Sequence, residues 1–363
     1  MNIKLQLRFR KVLLIVFIWI CIGIWISLYD HLAFYSEFSK GPDDDYTLGL
    51  SMAFNALAGM IGGVLGGTFL VFYINEKYRD RSYGFTIMAV LVSFIVIVSF
   101  ITVVLGLIFI PMISGMPLSS TEGMQRFLSY LTNPLHFKNL MIWGLVVALT
   151  QLFLQIDNKF GSGILFNFIL GRYRKPRKEE RIFMFVDIKS STQIAEMLGN
   201  QPYHEFLKDF FAHITNAIVY NKGQIYQYVG DEVVISWPLE NKDENSRCLN
   251  CFFDMKKSIE KRSPYYLEKY GVIPEFKAGI HTGEVIAGEI GIIKRDITYS
   301  GDVLNTTARI QSKCNTLNSF LLISNPVRNK IEVNPQFAVT SVGQIALRGK
   351  GTSLELFDIS LHN

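Results

Sequence analysis

Charge is scarce in this sequence. Asp, Glu, Lys and Arg together make up 18% of the 363 residues, against 49% apolar. That balance excludes an intrinsically disordered chain, which combines dense charge with few apolar residues. Cysteine is scarcer still: Cys21, Cys248, Cys251 and Cys314 are too few to staple a disulfide scaffold of this length. Cys248 and Cys251 form a lone C-x-x-C without a second ligand pair nearby, so they read as helix packing rather than a zinc site. Neither sign of charge dominates. The formal net charge is +5 and its excess sits in particular loops, so nucleic acid is not an expected partner. Acidic and basic residues are missing from the interiors of the long apolar runs, where an ion or proton path would place them. A transporter is disfavoured on that ground.

What is present divides in two. Residues 1–156 hold four apolar stretches long enough to cross a bilayer: Val12–Tyr29, Leu48–Ile74, Tyr83–Ile113 and Leu140–Ile156. The first is bulky, with Trp19, Trp25 and Tyr29, and lacks a small-residue cleavage site, so it reads as a retained helix rather than a signal peptide. Lys4, Arg8, Arg10 and Lys11 precede it, and the loop after it is acidic. Lys77, Arg79 and Arg81 follow the second stretch, whereas the longer third loop has only Arg126 and Lys138. Lys159, Arg172, Arg174, Lys175, Arg177 and Lys178 follow the fourth. By the positive-inside rule both termini are expected in the cytoplasm of a multi-pass plasma or inner membrane protein. The loops expected outside are too short for a folded sensory domain, so any regulator would act on the bundle itself or be a separate membrane-side partner.

The second stretch carries Gly59, Gly62, Gly63, Gly66 and Gly67, a face on which another helix can approach closely. It reads either as a dimerisation face or as packing inside the same four-helix bundle. Residues 157–179 are expected to form a juxtamembrane linker, with a short interfacial helix at Gly161–Gly171. Its basic part, Arg172–Arg181, suits contact with anionic membrane lipid, although topology alone accounts for the charge.

From residue 180 to 363 the pattern is that of an ordinary globular domain. Arg181–Asp187 reads as a buried strand, followed by a helix capped around Ser190–Thr192 and a second helix over Tyr203–Tyr220. Gly223–Val229 and Glu232–Trp237 read as a hairpin with Gly230 and Asp231 at its tip. A helix over Asn245–Arg262, strands at Glu275–Thr282 and Ile297–Tyr299, a helix over Val303–Lys313, and three final strands complete the expectation. Without regular β-α repetition this points to an α+β domain, ferredoxin-like, with a mostly antiparallel sheet behind an α-helical membrane bundle. Asp187 at a strand end and Asp231 at a hairpin tip read either as ordinary turn chemistry or as a carboxylate pair. Two such carboxylates held together repel, and a divalent cation resolves that conflict.

Four blocks together carry a family resemblance. Phe185-Val186-Asp187-Ile188 with Ser190-Ser191-Thr192, Val229-Gly230-Asp231-Glu232, Gly279-Ile280-His281-Thr282-Gly283-Glu284, and Gly301-Asp302-Val303-Leu304-Asn305-Thr306-Thr307-Ala308-Arg309 resemble the catalytic domain of class III nucleotidyl cyclases, in order and in spacing. The resemblance implies conversion of ATP to 3′,5′-cyclic AMP and pyrophosphate. Asp187, Asp231 and the Ile188 carbonyl would hold two divalent cations, Mg²⁺ or Mn²⁺. Asn305 would orient the ribose, and Arg309 would meet charge developing on the α-phosphate. Arg348 stands where the family often has a phosphate-binding lysine.

Gln227 and Thr298 occupy the base-reading positions. Gln227 replaces the usual lysine, and its amide offers a donor and an acceptor to adenine, but turned round it suits guanine. ATP is therefore the expected substrate with GTP the alternative, and a catalytically silent cyclase-like binding module is the reading from another class. The family divides each site between two catalytic domains, so one chain with a single such domain implies a homodimer. His281 is expected to be structural.

Overall fold

The computed structural model describes residues 3–37, 47–78, 81–160, 171–293, 295–347 and 353–362. The chain divides into two compact units, Leu5–Leu165 and Phe166–Asn363, with a short N-terminal piece grouped with the second. The interfacial helix expected at Gly161–Gly171 lies almost entirely outside the described residues.

In the first unit α1 is Ile3–Glu37, and α2 is Leu48–Thr68 running on through a π-helical turn, Phe69–Ile74, and a last turn, Asn75–Lys77. Then come α3 (Tyr83–Ser114), α4 (Thr121–Leu131) and α5 (Pro134–Phe160). Among the described residues, four helices are long and apolar enough to cross a membrane. The short helix α4 lies in the third loop, where the sequence pattern predicts no element. Ser120 caps it by accepting from Gly123 N at 3.0 Å, and Phe127 is buried. Gly106 gives it room on α3, because a Cβ there would stand 2.8 Å from the Phe127 ring.

The glycine face of α2 is used inside the bundle. A Cβ on Gly59 would stand 2.4 Å from the Trp19 carbonyl oxygen, and one on Gly63 would stand 2.8 Å from the Val16 Cα. Gly23 of α1 answers from the other side, its added Cβ 2.3 Å from the Asn55 carbonyl oxygen. Where the backbones touch, polar groups are paired: Ser27 donates to Ser51 O at 3.0 Å and accepts from Asn55 Nδ2 at 2.8 Å. Gly59→Leu is therefore expected to destabilise the bundle by about 1–3 kcal/mol, the usual range for overpacking, seen as a lower melting temperature in detergent. An unchanged melt with loss of self-association would instead assign this face to dimerisation.

The second unit is an α+β sandwich on one eight-stranded sheet. Its strands are β1 (Arg177–Ile188), β2 (Gln224–Val229), β3 (Glu232–Pro238), β4 (Phe276–Ile290), β5 (Asp296–Ser300), β6 (Leu321–Ser324), β7 (Phe337–Ala346) and β8 (Ser353–Leu361). The order is β2-β3-β1-β4-β6-β8-β7, with β5 paired to the outer length of β4. Every pairing is antiparallel except β4 with β6. The helices are α6 (Ser191–Leu198), α7 (Asn200–Tyr220), α8 (Lys242–Asn245), α9 (Arg247–Glu260), α10 (Ser263–Tyr270), α11 (Asp302–Thr316) and α12 (Asn325–Lys330). Alternation along β1 sorts its side chains. Ile182, Met184, Val186 and Ile188 enter the main core with Phe206, Phe210 and Ile214 of α7 and Phe252 and Met255 of α9. Phe183 and Phe185 face the other way, packing with Val234, Val285 and Val303 beneath α11.

Candidate active site

Asp187 continues the Phe183–Phe185 face to the end of β1, where its cross-strand neighbours are Glu232 on β3 and Lys277 on β4. Asp231 arrives from the β2–β3 hairpin. Val229 pairs with Glu232, leaving a two-residue loop whose first member, Gly230, has φ +62°. A positive φ at that position is what a tight hairpin turn asks for, and glycine adopts it without strain. The turn brings the Asp231 carboxyl within hydrogen-bonding reach of Asp187. Burial pushes the Asp187 carboxyl above the ordinary carboxylate range, and the hydrogen bond with Asp231 adds to the shift. Glu232 is pushed up to about 7, first by burial and then by the charges of Asp187 and Asp231.

Two side chains hold Asp187 from the opposite side. Lys277 Nζ lies 3.1 Å from Asp187 Oδ2, and Gln311 Nε2 donates to the same oxygen at 2.9 Å. Lys277 is nearly buried and also donates to Asn315 Oδ1 at 3.0 Å. Sequence reading missed both residues. A lysine inside an otherwise apolar central strand was the available signal, because a buried ammonium needs a counter-charge. Tyr203 is a third addition: burial and then the Asp231 charge raise its phenol, which meets Ser191.

Among the described residues, no hydrogen bond or ion pair joins the other expected side chains to this pair. Helix α11 turns Val303, Thr306, Thr307, Ile310, Gln311 and Cys314 into the domain. Asn305 is exposed and Arg309 half-buried on the remaining face, and neither side chain has a hydrogen-bond or ion-pair partner among the described residues. Four residues apart, they lie on one side of the helix. Gln227 is exposed beside a register shift in β2, and Thr298 on β5 donates to the Gly288 carbonyl at 3.5 Å. Their neighbours Tyr226 and Tyr299 meet with ring centroids 5.0 Å apart, so β2 and β5 share one aromatic cluster. Ile188 is buried at the strand end, and Arg348 lies outside the described residues. His281 is buried with Nδ1 2.7 Å from Ser324 Oγ, away from Asp187. Cys248 and Cys251 are wholly buried in the helix-side core, and burial pushes the Cys248 thiol up to about 12.

No group of three His, Cys, Asp or Glu converges on a point among the described residues. What converges is a half-buried pair of carboxyls, Asp187 and Asp231, within hydrogen-bonding reach of each other. That donor set fits a hard divalent cation, which binds through one or two carboxylates and completes its shell with substrate phosphates.

Comparisons with known proteins converge on one family. The adenylate and guanylate cyclase catalytic domain matches residues 174–359. Adenylate cyclase 2 of Rhizobium meliloti is 33% identical over 223 residues, 61% of this chain and 61% of that protein. Adenylate cyclase 1 of the same organism is 24% identical over 187 residues, covering 50% of this chain and 28% of that one. This chain thus spans less than two thirds of either relative. The solved structure of a bacterial light-regulated adenylyl cyclase, 19% identical, aligns with a TM-score of 0.53 over 61% of this chain and 65% of that one. At that identity the likeness concerns the fold.

Proposed function

The chain belongs to the class III nucleotidyl cyclase family, and from that premise we propose that it is a membrane-anchored adenylate cyclase working as a homodimer. The observation that carries the proposal is a division within one domain. Asp187 and Asp231 meet at one end of the sheet, while the Asn305 and Arg309 side chains on the outer face of α11 have no partner among the described residues. A second copy presenting its own Asn305 and Arg309 completes the set, giving two equivalent sites per symmetric dimer.

The reaction is intramolecular. The ribose 3′-oxygen bonds to the α-phosphorus, the bond from that phosphorus to the oxygen bridging to the β-phosphate breaks, pyrophosphate departs with that oxygen, and the hydroxyl proton passes to water. Divalent cations, a general requirement of the family, supply acidification of the hydroxyl and charge neutralisation on the phosphates; two ions, Mg²⁺ or Mn²⁺, are proposed here. Asp187, Asp231 and the Ile188 carbonyl would hold them. Lys277 and Gln311 hold Asp187 through one carboxylate oxygen, which leaves the other for a cation. Asn305 of the partner subunit orients the ribose. The partner subunit's Arg309 stabilises charge on the α-phosphate, and a guanidinium does so with a fixed fork of donors. Arg348 is the proposed contact to the outer phosphates.

Gln227 and Thr298 read the base. The names of the two Rhizobium relatives favour adenine, and the Gln227 amide can donate to N1 while accepting from N6. Basic residues flanking the apolar helices support a reading with both termini and the catalytic domain in the cytoplasm.

The test is product identity. Purified full-length protein with Mg²⁺ or Mn²⁺ is expected to convert ATP to 3′,5′-cyclic AMP, favouring ATP over GTP by about tenfold or more in kcat/KM, the worth of about one well-made hydrogen bond. Cyclic GMP as the main product would overturn the base assignment. Nucleotide binding with no cyclic product would return the silent module.

A further inference from the structure

One end of the helical bundle contains a cavity of about 230 Å³ that the cyclase reaction does not use. It lies between the end of α2, the start of α3 and the end of α5, and its polar lining includes Asn75, Tyr78, Arg81, Tyr83, Gln155 and Lys159. Three independent features mark it. Gln155 is only 7% exposed, yet its Oε1 has no hydrogen-bond partner, and the same holds for Gln151 Oε1 one turn earlier. A buried acceptor left without a donor is costly and rare in native structures, unless something outside the chain supplies the donor.

Secondly, α2 changes to a π-helical turn over Phe69–Ile74, immediately before Asn75. Such turns are rare and cluster at functional sites. Asn75 is thereby set against α5, accepting from Gln151 Nε2 at 3.2 Å. Thirdly, the charges at this end do not cancel. Glu76 is paired with Arg8, and Asp157 with Lys11 at 2.6 Å. Arg81, its guanidinium over the Phe85 ring, and Lys159 belong to no ion pair among the described residues, and both line the cavity.

We propose that this cavity binds a phosphoester anion whose other end carries a hydroxyl or ammonium donor, the chemistry of an anionic glycerophospholipid headgroup. The phosphate meets Arg81 and Lys159, and the donor satisfies Gln155 Oε1. Helices of membrane length form the walls, so the bilayer is the adjacent source. Gln155 lies 22 residues before Arg177, the first residue of β1, on the only covalent path from the bundle to the catalytic domain. The proposal stands on the bundle alone, and its test does not use nucleotide turnover.

The experiment uses full-length protein in phosphatidylcholine nanodiscs with and without phosphatidylglycerol, reading retained lipid by native mass spectrometry and melting temperature in parallel. Wild type is expected to retain phosphatidylglycerol and to melt higher in its presence. The Arg81→Gln, Lys159→Gln double variant is expected to retain it about twenty-five-fold more weakly, at about fivefold per basic residue near an anionic headgroup. Gln155→Leu removes the orphan acceptor, so it should lose the headgroup preference while the empty protein melts no lower than wild type. Glycerol 3-phosphate added to phosphatidylcholine discs separates the sources. If it raises the wild-type melt as the lipid does, and the variants do not respond, the site stands and its ligand is soluble. Equal retention by wild type and variants would overturn the proposal. So would a lowered melt for Gln155→Leu with retention unchanged, the signature of a merely structural glutamine. Lys159→Gln alone keeps the test open should the double variant fold poorly.

Discussion

Alanine in place of Asp231 is expected to reduce cyclic nucleotide formation by about a thousandfold or more while leaving the protein folded. Several kcal/mol of transition-state stabilisation by bound metal disappear with the ligand, and each 1.4 kcal/mol is about a factor of ten in rate. The expected effect on stability has the opposite sign. Burial, and then the neighbouring Asp231 carboxyl, make Asp187 costlier to ionise without metal, a like-charge repulsion. Removing Asp231 relieves that repulsion and strands no cation. The metal-free variant should melt at or above the wild-type temperature, and Mg²⁺ or Mn²⁺ should no longer raise its melt. Asp187→Ala should lose activity equally but melt lower, because Lys277 and Gln311 both lose their shared acceptor. Asp187→Asn retains a side-chain oxygen to accept from both and should recover much of the stability with none of the activity. Substantial Mg²⁺-dependent turnover in any of the three would contradict the role assigned to the pair.

Much of this was readable from residue order, for reasons specific to each element. The run Arg181–Asp187 is apolar on both faces, as a strand covered on two sides must be, and the strand is there. Gly230-Asp231 between two alternating segments is a turn by backbone chemistry alone, and the hairpin forms around it. Asn305 and Arg309 share a helix face by arithmetic, and α11 presents them together. The limits are equally specific. Strand β4 runs on to Ile290, past the Thr282 expected as its end, and carries Gly279 and Gly283 within its length. They are there for α11: a Cβ on Gly279 would stand 2.4 Å from the Gln311 amide nitrogen. Lys277 and Gln311 lie far along the chain from Asp187, and no local pattern announces a contact made only by sheet register and helix docking. Likewise α10 follows α9 so closely at Ser263-Pro264 that helical periodicity did not reveal it as a separate element. The glycine face of α2 allowed two readings until its neighbour was known, and that neighbour is α1 of the same chain.

Co-expression of two inactive chains addresses the shared site most directly. One chain carries Asp231→Ala and the other Arg309→Ala, each expected to be inactive as its own homodimer. In the mixed dimer, one interface has both substitutions and the other has neither. If chains pair at random, half the dimers are mixed and each has one intact site of two, so activity should return to about a quarter of the wild-type level, for independent sites. The chains are co-expressed because subunits already assembled in a membrane need not exchange, and differently tagged copies recovered together establish that mixed dimers formed. Recovery near a quarter is the result expected of a site built from Asp187 and Asp231 of one subunit with Asn305 and Arg309 of the other. No recovery among demonstrated mixed dimers would contradict it, and would mean that each chain completes its own site.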